Sequence, residues 1–213
     1  MKIGIIGSGI VGQQLGNGFL RLGHEVKIGN REPSKLSEWL KQAGEKASAG
    51  SNKEAAGFGE LIVLATGWAG TENAISISGK ENFAGKTVID VTNPLDFSKG
   101  SPPQLDASPG NSGGEKVQRW LPDSGVVKAF NTINAYIMIN AKRAEGDPDL
   151  FICGNDPEAK NKVTNFAKQW EWKNIIDMGD ISEAYWLEAL AMLWIHYGFK
   201  NNNWSHAFKL LIK

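Results

Sequence analysis

The sequence predicts an α/β protein built on a doubly wound, mostly parallel sheet. Three observations carry that expectation. Short β-like runs rich in isoleucine, leucine and valine alternate with helical runs along the chain. The first run ends in a glycine-rich turn that opens a helix. No internal repeat and no shift in composition marks off a second domain. Such alternation makes right-handed βαβ units, with helices on both faces of one sheet.

The elements follow in order. KIGIIG from Lys2 is the first strand, and Ile10–Leu22 is the helix after it, with Gly23 suited to end it. HEVKIG from His24 is the second strand. Pro33–Gln42 reads as a helix because Pro33 and Ser34 suit its start and Leu36, Trp39 and Leu40 share a face. KASAG from Lys46 is a weak third strand, followed by a short helix near Asn52–Gly57. ELIVLAT from Glu60, KTVIDVTN from Lys86 and GVVKAFN from Gly125 are the fourth, fifth and sixth strands. Trp68–Ser76 is helical, and Ser112 with Glu115 forms a capping box for another helix. DLFICG from Asp149 and NIIDMG from Asn174 are strands on either side of a helix over Asp156–Trp170. Asp180 and Glu183 start a long helix with Leu187, Leu190, Ala191 and Trp194 on one stripe, and a last helix is expected over Trp204–Leu211. The expectation is one dinucleotide-binding domain over residues 1–213, with 178–213 as a short helical C-terminal extension packed on it. Ser101–Gly114, with three prolines, is a long loop: either a surface insertion or a lid over a ligand.

Bulk properties narrow the function. Lys plus Arg equals Asp plus Glu at 23 each, so the basic excess of a nucleic-acid binder is missing. No apolar stretch is long enough to span a bilayer, and the start of the chain reads as strand and turn, not as a leader. Cys153 is the single cysteine and reads as a small buried hydrophobe. A cytoplasmic protein is expected. No metal-ligand spacing and no nucleophile elbow occurs, and no acid–base pair stands out, so no catalytic side chain is assigned.

The turn Gly7-Ser8-Gly9-Ile10-Val11-Gly12 matches G-x-G-x-x-G in the context that gives the pattern meaning, strand before and helix after. Gly7 permits the tight turn, Gly9 leaves room for a pyrophosphate, and Gly12 lets helix and strand pack closely. The helix start then offers unpaired N–H groups and a positive dipole end to an anion. A Rossmann-type dinucleotide site is expected here.

The second strand ends where such folds often hold a carboxylate for the adenosine ribose. This chain has Gly29, Asn30 and Arg31 instead, with Lys35 one turn further on. An amide, a guanidinium and an ammonium suit a 2′-phosphate, which a carboxylate would repel, so NADP(H) is expected over NAD(H). Alternatively Arg31 and Lys35 are two solvated surface charges. Three other strand ends face the same crevice: Ala65-Thr66-Gly67, Asn93-Pro94-Leu95 and Ala129-Phe130-Asn131. Ala65, Thr66, Gly67, Asn93, Pro94 and Ala129 are placed with the cofactor, and Phe130 and Asn131 with the substrate. Each asparagine is equally suited to plain turn chemistry.

The stretches IGIIGSGIVGQQLG, IGNREPSK, VIDVTNPL, VVKAFNTINA and LEALAMLWIHYGFK, in this order, resemble the NADP-dependent oxidoreductases that use the deazaflavin coenzyme F-420. The cytoplasmic reductase domains of the six-transmembrane epithelial antigens of prostate look related; those pass electrons from NADPH through a flavin. The resemblance implies a compact, often dimeric enzyme moving hydride between NADP(H) and a planar small-molecule partner such as F-420 or a flavin. It implies NADP at Gly7–Gly12, the 2′-phosphate near Asn30, Arg31 and Lys35, and the reacting rings near Asn93-Pro94 and Ala129-Phe130-Asn131. A module that binds NADP without turnover is the competing expectation.

Overall fold

The computed structural model describes residues 1–211. Strand β1 (Lys2–Ile6) runs into helix α1 (Ile10–Arg21), and β2 (Glu25–Gly29) follows. A 3₁₀ turn over Pro33–Leu36 leads into α2 (Ser37–Ala43), then β3 (Ala47–Gly50), α3 (Asn52–Phe58) and β4 (Leu61–Leu64). Next come α4 (Thr71–Ser78) and β5 (Thr87–Asp90). A small arm, β6 (Leu95–Asp96) with β7 (Gln104–Leu105), precedes α5 (Gly113–Trp120) and β8 (Gly125–Lys128). The last third holds α6 (Ala135–Met138), β9 (Asp149–Gly154), α7 (Pro157–Gln169), β10 (Asn174–Asp177) and α8 (Ala184–Asn201).

Eight strands form one sheet in the order β10-β9-β8-β5-β4-β1-β2-β3, a Rossmann-like α/β fold. All neighbours are parallel except β8 and β9, which pair antiparallel through Val127↔Gly154 and Lys128↔Cys153. The chain winds outward from β1 to β3, then returns to β4 on the other side of β1, which opens a crevice between β1 and β4 at their carboxyl ends.

The sheet is buried on both faces, so its strands are near-continuous apolar runs. Successive residues point to opposite faces. Ile3, Ile5, Val26, Ile28, Val63 and Ile89 join one core with Leu15, Phe19 and Trp39. Ile6, Ile62, Leu64, Val88 and Val126 join the other with Ile75, Phe83, Val117 and Leu187. The capping boxes at Ser51–Glu54 and Ser112–Glu115 fix the starts of α3 and α5.

The C-terminal tail departs from the sequence reading. The expected helix over Trp204–Leu211 is absent. Asn202 closes α8 in a left-handed conformation (φ 45°), and the chain folds back as an irregular tail. Trp194 Nε1 donates to the His206 carbonyl at 2.9 Å, and Asp149 binds Phe208 and Leu210 at 3.0 and 2.6 Å, so tertiary bonds replace helical ones. The loop from Ser101 is anchored at its base: Leu95↔Leu105 and Asp96↔Gln104 pair antiparallel, and Asp106 N donates to the Pro94 carbonyl at 2.7 Å.

Candidate functional site

A cavity of about 680 Å³ lies over the carboxyl ends of β1, β2, β4 and β5. It is built upward from the glycine turn. Gly7 has φ 118°, and a β-carbon there would meet the Ala65 carbonyl. A β-carbon on Gly12 would collide with the Gly7 carbonyl, so that glycine serves packing. Gly9 has open space where its side chain would be. The first helical bond of α1 runs from Gln13 N to Gly9 O at 3.0 Å, which leaves the N–H groups of Ile10, Val11 and Gly12 outside the helical ladder. Gln13 braces the turn by donating to the Ser8 carbonyl at 2.8 Å. Room for backbone approach and a helix N-terminus therefore coincide, as a diphosphate requires.

The wall beyond β2 holds Gly29, Asn30 and Arg31 and, like the rest of the wall, no carboxylate. Asn30 donates to Ser8 Oγ at 2.6 Å and accepts from Glu32 N at 2.8 Å. It locks the end of β2 to the glycine turn and leaves Arg31 as the exposed cation of the wall. Lys35 lies outside the wall: its ammonium pairs with the Glu32 carboxylate at 3.0 Å. Ala65, Thr66 and Gly67 line the cavity, and Thr66 Oγ1 bonds Thr71 Oγ1 at 2.9 Å. Asn52, Trp68, Asn73 and Ile77 are wall residues that the sequence reading missed.

At the other end Val91, Thr92, Asn93, Leu95 and Phe97 complete the wall. Asn93 and Asn131 clasp each other: Asn93 donates to the Asn131 carbonyl at 2.8 Å, and Asn131 donates to Asn93 Oδ1 at 3.0 Å and to Leu187 O at 3.1 Å. Asn131 is thus buried behind Asn93 and positions it. Pro94 and Ala129 are buried outside the wall. Phe130 departs most from expectation. It is fully buried with φ 61°, and its ring packs edge-on against Trp170 and Trp172, centroids 5.7 and 6.2 Å away. The left-handed backbone at the end of β8 places that ring in an aromatic core, out of reach of a substrate.

Directly under Val91–Asn93 lies a charge cluster that the sequence reading also missed. Lys128 Nζ sits 2.9 Å from Asp90 Oδ2 and 2.8 Å from Glu188 Oε1, and none of the three side chains is exposed. Burial alone would lower the Lys128 pKa, but the two carboxylates outweigh it and hold the ammonium above its ordinary range. Asp90 also accepts from Thr92 N and Oγ1 at 2.9 and 2.7 Å. Glu188 accepts from Gly113 N and Gly114 N at 2.9 Å each, at the start of α5. The signal was present in the sequence as Asp90 and Lys128 within two apolar runs; the strands pair these residues directly.

The fold and this cavity define a class, the dinucleotide-binding α/β oxidoreductases. Comparison with known proteins narrows it. The family described as "NADP oxidoreductase coenzyme F420-dependent" matches residues 2–94. The F420-dependent NADP reductase of Methanocaldococcus jannaschii is 32% identical over 212 residues, covering 94% of this chain and 93% of that protein. Metalloreductase STEAP3 of Rattus norvegicus is 28% identical over 191 residues; the match covers 90% of this chain and 36% of that protein. A crystal structure from Arthrobacter sp. FB24, provisionally described as an F420-dependent NADP reductase, superposes with a TM-score of 0.94 at 37% identity over 100% of both chains. The chain belongs to the F420-dependent NADP reductase family and is an NADP-dependent oxidoreductase.

Proposed function

We propose that the protein moves hydride between NADP(H) and a planar redox partner, coenzyme F420 or a flavin, with both bound at the cavity above β1, β2, β4 and β5. Bound NADP(H) supplies the hydride chemistry. The residues supply position: the glycine turn and the start of α1 for the diphosphate, Arg31 for the 2′-phosphate, and Asn93, held in place by the buried Asn131, for the polar edge of the nicotinamide. The wall holds no His, Asp or Glu, which suits a reaction that relies on alignment and not on a strong general acid.

The observation that carries the reading is the wall past β2, where a lone guanidinium stands and no carboxylate does. Arg31→Glu is expected to weaken NADPH by roughly 2–4 kcal/mol, from a lost charge-assisted bond plus new repulsion, and to leave NADH nearly unchanged. Titration of both nucleotides by calorimetry tests it; unchanged NADPH affinity defeats the assignment. A cytoplasmic homodimer belongs to the same proposal, and the exposed Trp186, Leu193 and Tyr197 of α8 support the pairing.

A further inference from the structure

The cavity wall contains two aromatic rings, Trp68 after β4 and Phe97 after β6. Their surroundings differ. Trp68 is already stacked on Trp120 with centroids 5.7 Å apart, and the Lys116 ammonium lies 5.6 Å from its ring. Phe97 stacks on no other ring among the described residues, and 55% of its surface is exposed. A large apolar side chain left open inside a concave site is a common mark of a ligand surface.

The backbone around Phe97 is fixed. The pairs Leu95↔Leu105 and Asp96↔Gln104 hold the arm before it. The Asp96 carboxylate accepts from Ser98 N and Ser98 Oγ at 2.8 Å each and so pins the turn just after it. The far end of the arm runs into the start of α5, which Glu188 ties to Lys128 and Asp90. Phe97 is therefore a ring on a braced support. Its arm leaves the sheet at the end of β5, whereas Arg31 follows β2. β5 and β2 are three steps apart in the sheet, about 14 Å at the usual strand spacing, so the arm and the Arg31 turn rise from different parts of the wall.

We propose that Phe97 is the platform on which the planar redox partner stacks, and hence a specificity-determining residue for that partner. The inference rests on the hydride-transfer reading above and names the ring that reading lacked, since Phe130 is buried. An aromatic face suits an isoalloxazine or deazaflavin ring system, because offset π-stacking rewards flat heterocycles and asks for no particular hydrogen-bond pattern. Phe97 gives and takes neither electron nor proton.

The test uses the whole chain and two variants, Phe97→Leu and Phe97→Trp. Leucine keeps an apolar side chain and removes the ring; tryptophan keeps a ring. Riboflavin, FMN and coenzyme F420 serve as probes, with dissociation constants read from their own fluorescence, and NADPH is titrated separately by calorimetry. Phe97→Leu is expected to weaken the planar probes about three- to tenfold, with NADPH within twofold of wild type and an unchanged melting temperature. Phe97→Trp is expected to bind the probes as well as wild type or better. Equal probe affinity in wild type and Phe97→Leu overturns the inference, as does an equal loss of NADPH, which would place Phe97 in the dinucleotide subsite. Wild type that binds NADPH but none of the probes also overturns it while leaving the NADP assignment standing. Wild type that fails to bind NADPH refutes the proposed function itself.

Discussion

Replacing Lys128 by methionine removes one charge and keeps the length of the side chain. The substitution leaves Asp90 and Glu188 fully buried and facing each other across the space the ammonium filled. Each carboxylate keeps two donors, Thr92 N and Oγ1 for Asp90 and the N–H groups of Gly113 and Gly114 for Glu188, so neither is wholly stranded. Breaking a buried ion pair on one side costs about 3–5 kcal/mol. For a chain of this size that corresponds to a fall of roughly 6–20 °C in melting temperature. The pH dependence gives a sharper signature. Wild type carries it through Lys128: its folded pKa is raised, so its contribution is fully present below the ordinary value of 10.5 and is lost only in stronger alkali, a loss the variant lacks. Urea and thermal unfolding at several pH values measure both effects. A loss below about 1 kcal/mol at pH 7 would refute the account. Adding Asp90→Asn and Glu188→Gln is expected to recover much of the loss.

The glycine turn separates folding from binding. Gly12→Ala is expected to destabilise the chain, since its β-carbon would meet the Gly7 carbonyl, whereas Gly9→Ala has open space and should melt like wild type yet bind NADPH more weakly; paired melts and titrations check both. Cys153 is buried, and burial pushes its thiol up to about 12, so native protein at pH 8 should resist alkylation by iodoacetamide and label fully in urea, as read by mass.

The order of the main-sheet strands from β1 to β8 could be read from the sequence because each carries its own signal, an apolar run bounded by a cap or a turn residue; the two-residue strands β6 and β7 of the arm carry none. The reversal between β8 and β9 could not, since an antiparallel strand buried in a sheet has the same composition as a parallel one. The tail after Asn202 failed for a related reason. Trp204 and Phe208 look helical in spacing, but hydrogen bonds to Trp194 and Asp149 decide their course. The site shows the same division. Gly7, Gly9 and Arg31 were legible because local backbone geometry and charge dictate what they can meet. The burial of Phe130, the exposure of Phe97 and the joining of Asp90, Lys128 and Glu188 depend on register between distant strands and on one left-handed residue, which no local pattern announces.

The stacked indoles at the cavity rim give the molecule a reporter of its own occupancy. Of eight tryptophans, Trp68 alone belongs to the wall among the described residues. A reduced nicotinamide absorbs where indole emits, so a dinucleotide bound in this cavity, as proposed, would dim that light and kindle its own. Changing Trp120 loosens the stack without touching the wall, which separates the optical signal of the rim from that of the aromatic core around Phe130.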